Sequence, residues 1–447
     1  MFEKIFIVED EIGAAHRIVR ACRKLGVEVL MTRSSAPNES APESSTESLE
    51  ESASFIAFES SPAEEAERLL DVALERGAQA IHVGFLGLSQ QIPFLQGALS
   101  RSLHCVGAST LNESLRDRVE ARRRAAELGI QTVPALWSGP SVEVDAAAAE
   151  WSPQTLVHAR RAGETSPALL WQEREAAGAL PPFEALADGW IDRPRHVEIT
   201  LLRDAGGSVL LLPECERSIR WRFGRVLDEC PSPALQLRRG GEAKREVLRE
   251  LALRFVEGMD FVGILSLRFL LDVRGQWHFC AAEPGLSPKH SLLEMATGLD
   301  LIELQLRIAA GEEIPEESKK LTSNYHAVMA YLRAEDPDAG LRPTQGEIES
   351  MRWPPLPQGR VRIEPWVLPP VFVDGNVQPC IAQLGASGLV RHRALLLLDR
   401  LLATMQVRPL KHNASCLRGI LADESFRAGQ YDCAFLERSV GALATDP

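Results

Sequence analysis

No stretch of eighteen consecutive apolar residues occurs in this chain. A membrane-spanning helix, which needs about 20 such residues, is therefore excluded. Basic side chains are the minority: 49 Lys and Arg against 62 Asp and Glu leave a formal charge of -13. That balance argues against a nucleic-acid partner, because binding a phosphate backbone needs a basic face. The eight cysteines, at positions 22, 105, 215, 230, 280, 380, 416 and 433, form no Cys-x-x-Cys pair. A zinc site is not expected from them, and they read as reduced thiols in apolar strands and helices. No charged segment followed by a long apolar stretch stands at the N-terminus; Met1-Phe2-Glu3-Lys4-Ile5-Phe6-Ile7 runs straight into a strand pattern. The expectation is a cytoplasmic protein without a signal peptide. Neither a Gly-x-Ser-x-Gly nucleophile turn nor a histidine pair at metal-ligand spacing is found.

What is present is an ordinary globular composition, 45% hydrophobic and 25% charged, over 447 residues, with room for two or three domains. Residues 4–8 read as a buried strand, and helical spacing follows from Ile12 to Leu25 until Gly26 stops it. Further strand patterns at 27–31, 80–83 and 103–107 alternate with helices near 62–76 and 92–100. Such alternation predicts a parallel sheet with helices on both faces. A helix over about 112–128 leaves this unit. The Ser, Glu and Pro-rich segment 34–54 is too polar to bury anything and reads as a surface insertion.

Residues 138–190 are poor in apolar clusters and predict a small, reduced subdomain. From Arg195 the pattern becomes antiparallel. Strands 197–202 and 209–212 flank Gly206-Gly207, and a second hairpin joins 263–271 to 276–281 through a turn at 272–275. Helices near 292–296 and 301–310 follow, then more strands, then a helical region from Ala394 to the end.

Several segments, in sequence order, resemble one family. Arg17-Ile18-Val19-Arg20-Ala21-Cys22-Arg23-Lys24-Leu25-Gly26 is similar to the first helix of biotin carboxylase. Ala80-Ile81-His82-Val83-Gly84-Phe85, Arg193-Pro194-Arg195-His196-Val197-Glu198-Ile199, Glu294-Met295-Ala296-Thr297-Gly298-Leu299-Asp300-Leu301-Ile302 and Arg333-Ala334-Glu335-Asp336-Pro337 add to the match. The resemblance implies an α/β architecture: a parallel N-terminal domain over 1–115, a truncated ATP-grasp lid over 130–192, and an antiparallel ATP-grasp core with the family's C-terminal domain over 193–447. Biotin carboxylases use MgATP and bicarbonate to carboxylate biotin on a carrier protein, within acetyl-CoA and other acyl-CoA carboxylases.

The same resemblance points to what the chain lacks. The family holds magnesium with a carboxylate on each strand of the second hairpin; the matching positions are Arg268 and Ala281. Phosphoryl transfer relies on such cations, so one ligand is inverted in charge and the other deleted. Glu283 stands where it could pair with Arg268 across the hairpin. The family's glycine-rich lid is reduced to isolated Gly139, Gly163, Gly178 and Gly189, and glycine is what lets backbone wrap a phosphate closely. In the signature run, Glu283, Gly285, Ser287 and Pro288 fill matching positions, Lys289 replaces the glutamate base, and His290 follows it. Arg362 matches the arginine assigned to the biotin enolate. Arg118, Asp188, His196 and Arg225 fall on nucleotide-side positions as a vestigial site, and Phe223 replaces a histidine there.

Three readings follow. In the first, the chain is a catalytically degenerate subunit that needs no cofactor. Its partners would be an active biotin carboxylase, a biotin carboxyl carrier protein or a carboxyltransferase, as a homo- or heterodimer and away from membranes. In the second, it is a diverged ligase using ATP and Mg with Arg362, Lys289 and Glu283. In the third, it senses a nucleotide or metabolite without turnover.

Overall fold

The computed structural model describes residues 1–8, 12–34, 53–58, 63–84, 88–107, 114–148, 151–152, 154–160, 169–170, 183–221, 224–237, 239–319, 323–355, 357, 359–376 and 379–438. Most of the 34–54 insertion, together with Gly163, Gly178 and Phe223, lies outside these residues.

Alternation within one short strand organises the N-terminal unit. In Lys4–Ile7, Ile5 and Ile7 pack on one face with Ile18, Val19 and Cys22 of the helix Ile12–Lys24. Phe6 points the other way, toward Leu69 and Leu70 of Ala66–Glu75 and Phe94 of Leu88–Ser100. A strand with both faces buried belongs inside a parallel sheet. Here Lys4–Ile7 is central, flanked by Glu28–Ser34 and Ser54–Phe58 on one side and by Ala80–His82 and His104–Val106 on the other, all parallel.

The helix expected over 112–128 is interrupted at Asp117: residues 114–116 are helical, and a second helix runs Arg118–Glu127. Asp117 accepts hydrogen bonds from the Val119 and Glu120 amides and so caps Arg118–Glu127. Residues 135–188 hold more order than their composition suggests. Ala135–Pro140, Glu184–Asp188, Leu156–Ala159 and Leu169–Leu170 form an antiparallel sheet in that spatial order. Its core is built from small residues, Val144, Val157, Ala185 and Ala187, with Trp137 and Phe183 packed against them, which is why a search for large aliphatic runs passes over it.

One continuous nine-stranded sheet is the largest element of the rest. Its order runs Trp277–Pro284, Gly263–Leu271, Arg195–Arg203, Cys215–Trp221, Gly224–Cys230, His326–Arg333, Cys380–Gly388 and Val361–Pro365, with Val209–Leu211 paired to Arg195–Arg203. Both expected hairpins form, with Leu201 opposite Leu211 and Leu265 opposite Pro284. The helix Gly241–Val256 covers one end, where Phe255 stacks on Phe279 with centroids 4.9 Å apart.

The helical region expected from Ala394 is largely helix, interrupted by one strand. The helix Arg391–Thr404 ends, and Gln406–Pro409 forms a strand against Gln345–Arg352 before Ala414–Ala422 and Glu424–Arg427 resume helix. Pro409 has no amide hydrogen to give a helix, which favours the extended path. No described helix is long and apolar enough to cross a membrane.

Candidate active site

Charged residues inside fully buried strands mark the site. Strand pairing sets Glu198 of Arg195–Arg203 directly opposite Arg268 of Gly263–Leu271, and Arg268 in turn opposite Ala281 of Trp277–Pro284. Glu283, two residues beyond Ala281, lies on the same side of its strand. Gly285 then turns the chain at φ +90°, where an added Cβ would meet the Gly107 carbonyl at 3.1 Å; this close approach favours glycine. The turn delivers Ser287, whose amide donates to His290 Nδ1 at 2.9 Å, and places Lys289 in the interior.

These placements close a network. Lys289 Nζ donates to Glu198 at 2.8 Å and also to Glu283. Arg268 Nη2 donates to the other Glu283 oxygen, and its Nε lies 3.5 Å from Glu198. On the far side, Arg217 donates to Glu198 at 3.0 Å and to Asp228, and the Tyr331 hydroxyl donates to Asp228 at 2.8 Å. Arg225 reaches the same hydroxyl at 3.5 Å. Burial raises the Glu198 carboxyl, but Arg217, Lys289 and Arg268 outweigh it and hold it well below the ordinary range. Glu283 is likewise pushed up by burial and held far down by Arg268 and Lys289. Burial lowers Lys289 despite the two glutamates beside it.

Arg118 and Asp188 meet in a neighbouring cluster. Arg118 Nη1 donates to His158 Nδ1 at 2.7 Å, and His158 Nε2 donates to Asp188 at 2.7 Å. A guanidinium has only donors, so Nδ1 accepts and the neutral ring carries its proton on Nε2. Arg122 grips the same carboxylate with both nitrogens and donates its Nε to the Cys280 carbonyl at 2.9 Å. Burial pushes Asp188 up, but His158 and Arg122 keep it below the usual carboxylate range. Burial, then the nearby Arg268 charge, lowers Arg118 to about 10, so it stays charged at neutral pH.

His196 joins through Arg220, whose Nη1 donates to its Nδ1 at 3.0 Å. Burial, Arg220 and Arg268 drive the imidazole well below its ordinary value. Arg362 belongs to a different group. It pairs with Glu294, which also holds Arg17 at 3.0 Å, while Ser291 Oγ donates to Glu364 at 2.6 Å.

The central residues do not suit a divalent cation. Magnesium and calcium take oxygen ligands in a mainly anionic shell. Here the nearest carboxylates, Glu198 and Glu283, are already engaged by Arg268 and Lys289, and Ala281 offers no ligand.

The sequence pointed to Arg118, Asp188, His196, Arg225, Arg268, Glu283 and Lys289, but not to Glu198, Arg217, Asp228, Arg220, His158 or Arg122. For Glu198, Arg217, Arg220 and Asp228 the available signal was charged residues placed within strand runs, 195–203, 215–221 and 224–230.

Comparison with known proteins places this geometry. Residues 1–111 match the family described as "Biotin carboxylase, N-terminal domain". Residues 158–317 match "Carbamoyl-phosphate synthase L chain, ATP binding domain", and residues 330–438 match "Biotin carboxylase C-terminal domain". The chain is 28% identical over 443 residues to the methylcrotonoyl-CoA carboxylase alpha subunit of Rattus norvegicus, covering 94% of this chain but only 60% of that subunit. It is 26% identical to the biotin carboxylase of Halalkalibacterium halodurans, over 98% of this chain and 97% of that one. The fold superposes on the biotin carboxylase domain of Hydrogenobacter thermophilus 2-oxoglutarate carboxylase with a TM-score of 0.82 at 24% identity, covering 98% of each chain; that domain was solved as a dimer with MgADP and bicarbonate.

Proposed function

We propose, from the premise that this chain belongs to the biotin carboxylase family, that it is a catalytically degenerate subunit of an acyl-CoA carboxylase assembly. It keeps the family scaffold as a surface for an active biotin carboxylase, a carrier protein or a carboxyltransferase, and needs neither ATP nor magnesium for that role. The observation that supports this reading is the closed set Glu198, Arg268, Glu283 and Lys289, in which each carboxylate already has two cationic neighbours. In the resemblance, Arg268 and Ala281 stand at the magnesium-ligand positions. At an effective dielectric of about 20, a guanidinium about 4 Å from a divalent ion repels it by about 8 kcal/mol. Domain architecture carries no such requirement, since chemistry resides in the site rather than the fold.

The test is an ATP hydrolysis assay with magnesium, bicarbonate and free biotin. No bicarbonate-dependent phosphate release is expected, and Arg362→Ala changes nothing. Turnover that disappears in Arg362→Ala overturns the reading. Purification from the native host should recover a carboxylase component with the chain.

A second reading, an active ligase with relocated groups, draws on Lys289. Burial lowers its ammonium pKa, the direction that a lysine base requires. Glu283 and Arg362 would be its partners. The same assay separates the two.

A further inference from the structure

Two helices on the large sheet carry outward stripes of the same spacing and opposite charge. On Arg391–Thr404, Ala394, Leu395, Leu398, Leu401 and Leu402 are buried. The other side presents Arg393, Leu396 and Arg400, all exposed. On Gly241–Val256, Leu248, Ala252, Phe255 and Val256 are buried. Its other side presents Glu250 and Leu253, with Glu257 at the C-terminal cap, again all exposed. Each stripe reads charge, leucine three residues on, charge four residues further. Steps of three and four residues stay on one helix face. At 1.5 Å of rise per residue, the two charges of each stripe stand about 10 Å apart along the axis.

Neither stripe is used within the chain. Among the described residues, Arg393, Arg400, Glu250 and Glu257 have no side-chain ion pair. Leu396 and Leu253 are 45% and 44% exposed. The neighbouring charges leave them free: Asp399 is held by Arg418 at 2.9 Å, and Arg249 lies 3.9 Å from Glu246. Arg254 is exposed at the flank of the acidic stripe. An apolar seam residue flanked by opposite charges is how paired helices select each other.

The two helices cover the same face of the sheet. Val197, Glu216, Glu229, Val328 and Ala386 stand opposite one another in succession across five strands and so share a face. Val197 packs in one core with Leu248 and Phe255, and Val328 and Ala386 pack in another with Leu398. Four strand spacings, about 19 Å, lie between those strands. A second copy turned about a two-fold axis lays each stripe on its complement, so that one pair makes the contact twice.

We propose that this face joins two copies of the chain, Arg393, Leu396 and Arg400 of each meeting Glu250, Leu253 and Glu257 of the other. One such contact is small, but the second forms at high effective concentration once the first is made. The face lies away from the charged cluster of Glu198 and Lys289, so the pairing holds whether or not that cluster supports turnover.

The experiment is sedimentation velocity on the full chain in low salt. Two variants are compared with the wild type: Arg393→Glu with Arg400→Glu, and Glu250→Arg with Glu257→Arg. Each is expected to show half the wild-type mass at an unchanged melting temperature; any pairing through another face persists in both and sets the baseline. Mixing the two variants is expected to restore the wild-type mass, because each then meets its complement at both contacts. In about 1 M salt, where the screening length is about 3 Å, the wild type is expected to associate about tenfold more weakly. Should a double variant not fold, Arg393→Glu and Glu250→Arg alone carry the same expectation. Either variant keeping the wild-type mass, or a mixture that stays at the variants' mass, overturns the proposal.

Discussion

Lys289 and Glu198 are 91 residues apart in the chain and meet at 2.8 Å, with both side chains almost wholly removed from solvent. The contact joins the segment that follows the second hairpin to Arg195–Arg203, the third strand of the large sheet. Removing the ammonium leaves Glu198 and Glu283 facing each other across the gap it bridged. Breaking a buried pair from one side costs about 3–5 kcal/mol. Lys289→Met is therefore expected to lower the melting temperature by several degrees, measured by differential scanning calorimetry. An unchanged melting temperature would show that the contact carries no stability.

Arg268 and Glu283 give a second test. Replacing both partners of a buried ion pair with apolar groups is often neutral, whereas replacing one is not. Arg268→Met alone is expected to destabilise by about 3 kcal/mol in denaturant titration, and Arg268→Met with Glu283→Leu by less. Strict additivity of the two single changes would contradict the coupling assigned to this pair.

Buried histidines, His82 and His290 among them, shape the acid side of the stability profile. His82 and His290 have pKa values lowered by burial to about 4 and about 3, against 6.5 for the free ring. The unfolded chain therefore binds protons that the folded chain refuses, and stability rises with pH wherever that holds. Their contribution is intact above pH 6.5 and drains as pH falls toward 4. Glu229, whose carboxyl is raised by burial but held at about 2 by His326 and Arg391, adds a further loss below its ordinary 4.5. The melting temperature is expected to fall steadily from pH 6.5 downward, with a shallower slope in His82→Gln. A flat profile over that range refutes the neutral-histidine assignment.

Arg17 and Arg362 share the Glu294 carboxylate unequally. The Arg17 side chain is 9% exposed and Arg362 is 28% exposed. Arg17→Ala is expected to cost about 3 kcal/mol, as for a buried pair, and Arg362→Ala no more than about 1 kcal/mol, as for a pair near solvent. Paired urea titrations decide it, and a reversed order would move the structural role to Arg362.

The architecture was legible where each residue answers to its neighbours in sequence. Ile5, Phe6 and Ile7 declare a two-sided strand, and Gly206-Gly207 and the 272–275 turn declare hairpins. Cross-hairpin pairing of Arg268 with Glu283 also followed from the period of a strand. The rest of the cluster depended on pairing between distant strands. Glu198 meets Arg217 because the sheet brings 195–203 and 215–221 together, and Asp228 enters from the next strand. Periodicity within one segment carries no record of such a meeting. The small 135–188 core was missed for another reason: Ala185 and Ala187 bury little area each, so they leave a weak hydrophobic signature.

The strand His326–Arg333 stitches Gly224–Cys230 to Cys380–Gly388. A truncated chain ending near residue 320 would leave the backbone amides and carbonyls of Gly224–Cys230 bare along one edge. Bare edges recruit other strands. Dissecting this protein at the gap between its matched domains would thus uncover a strand edge on each side of the cut.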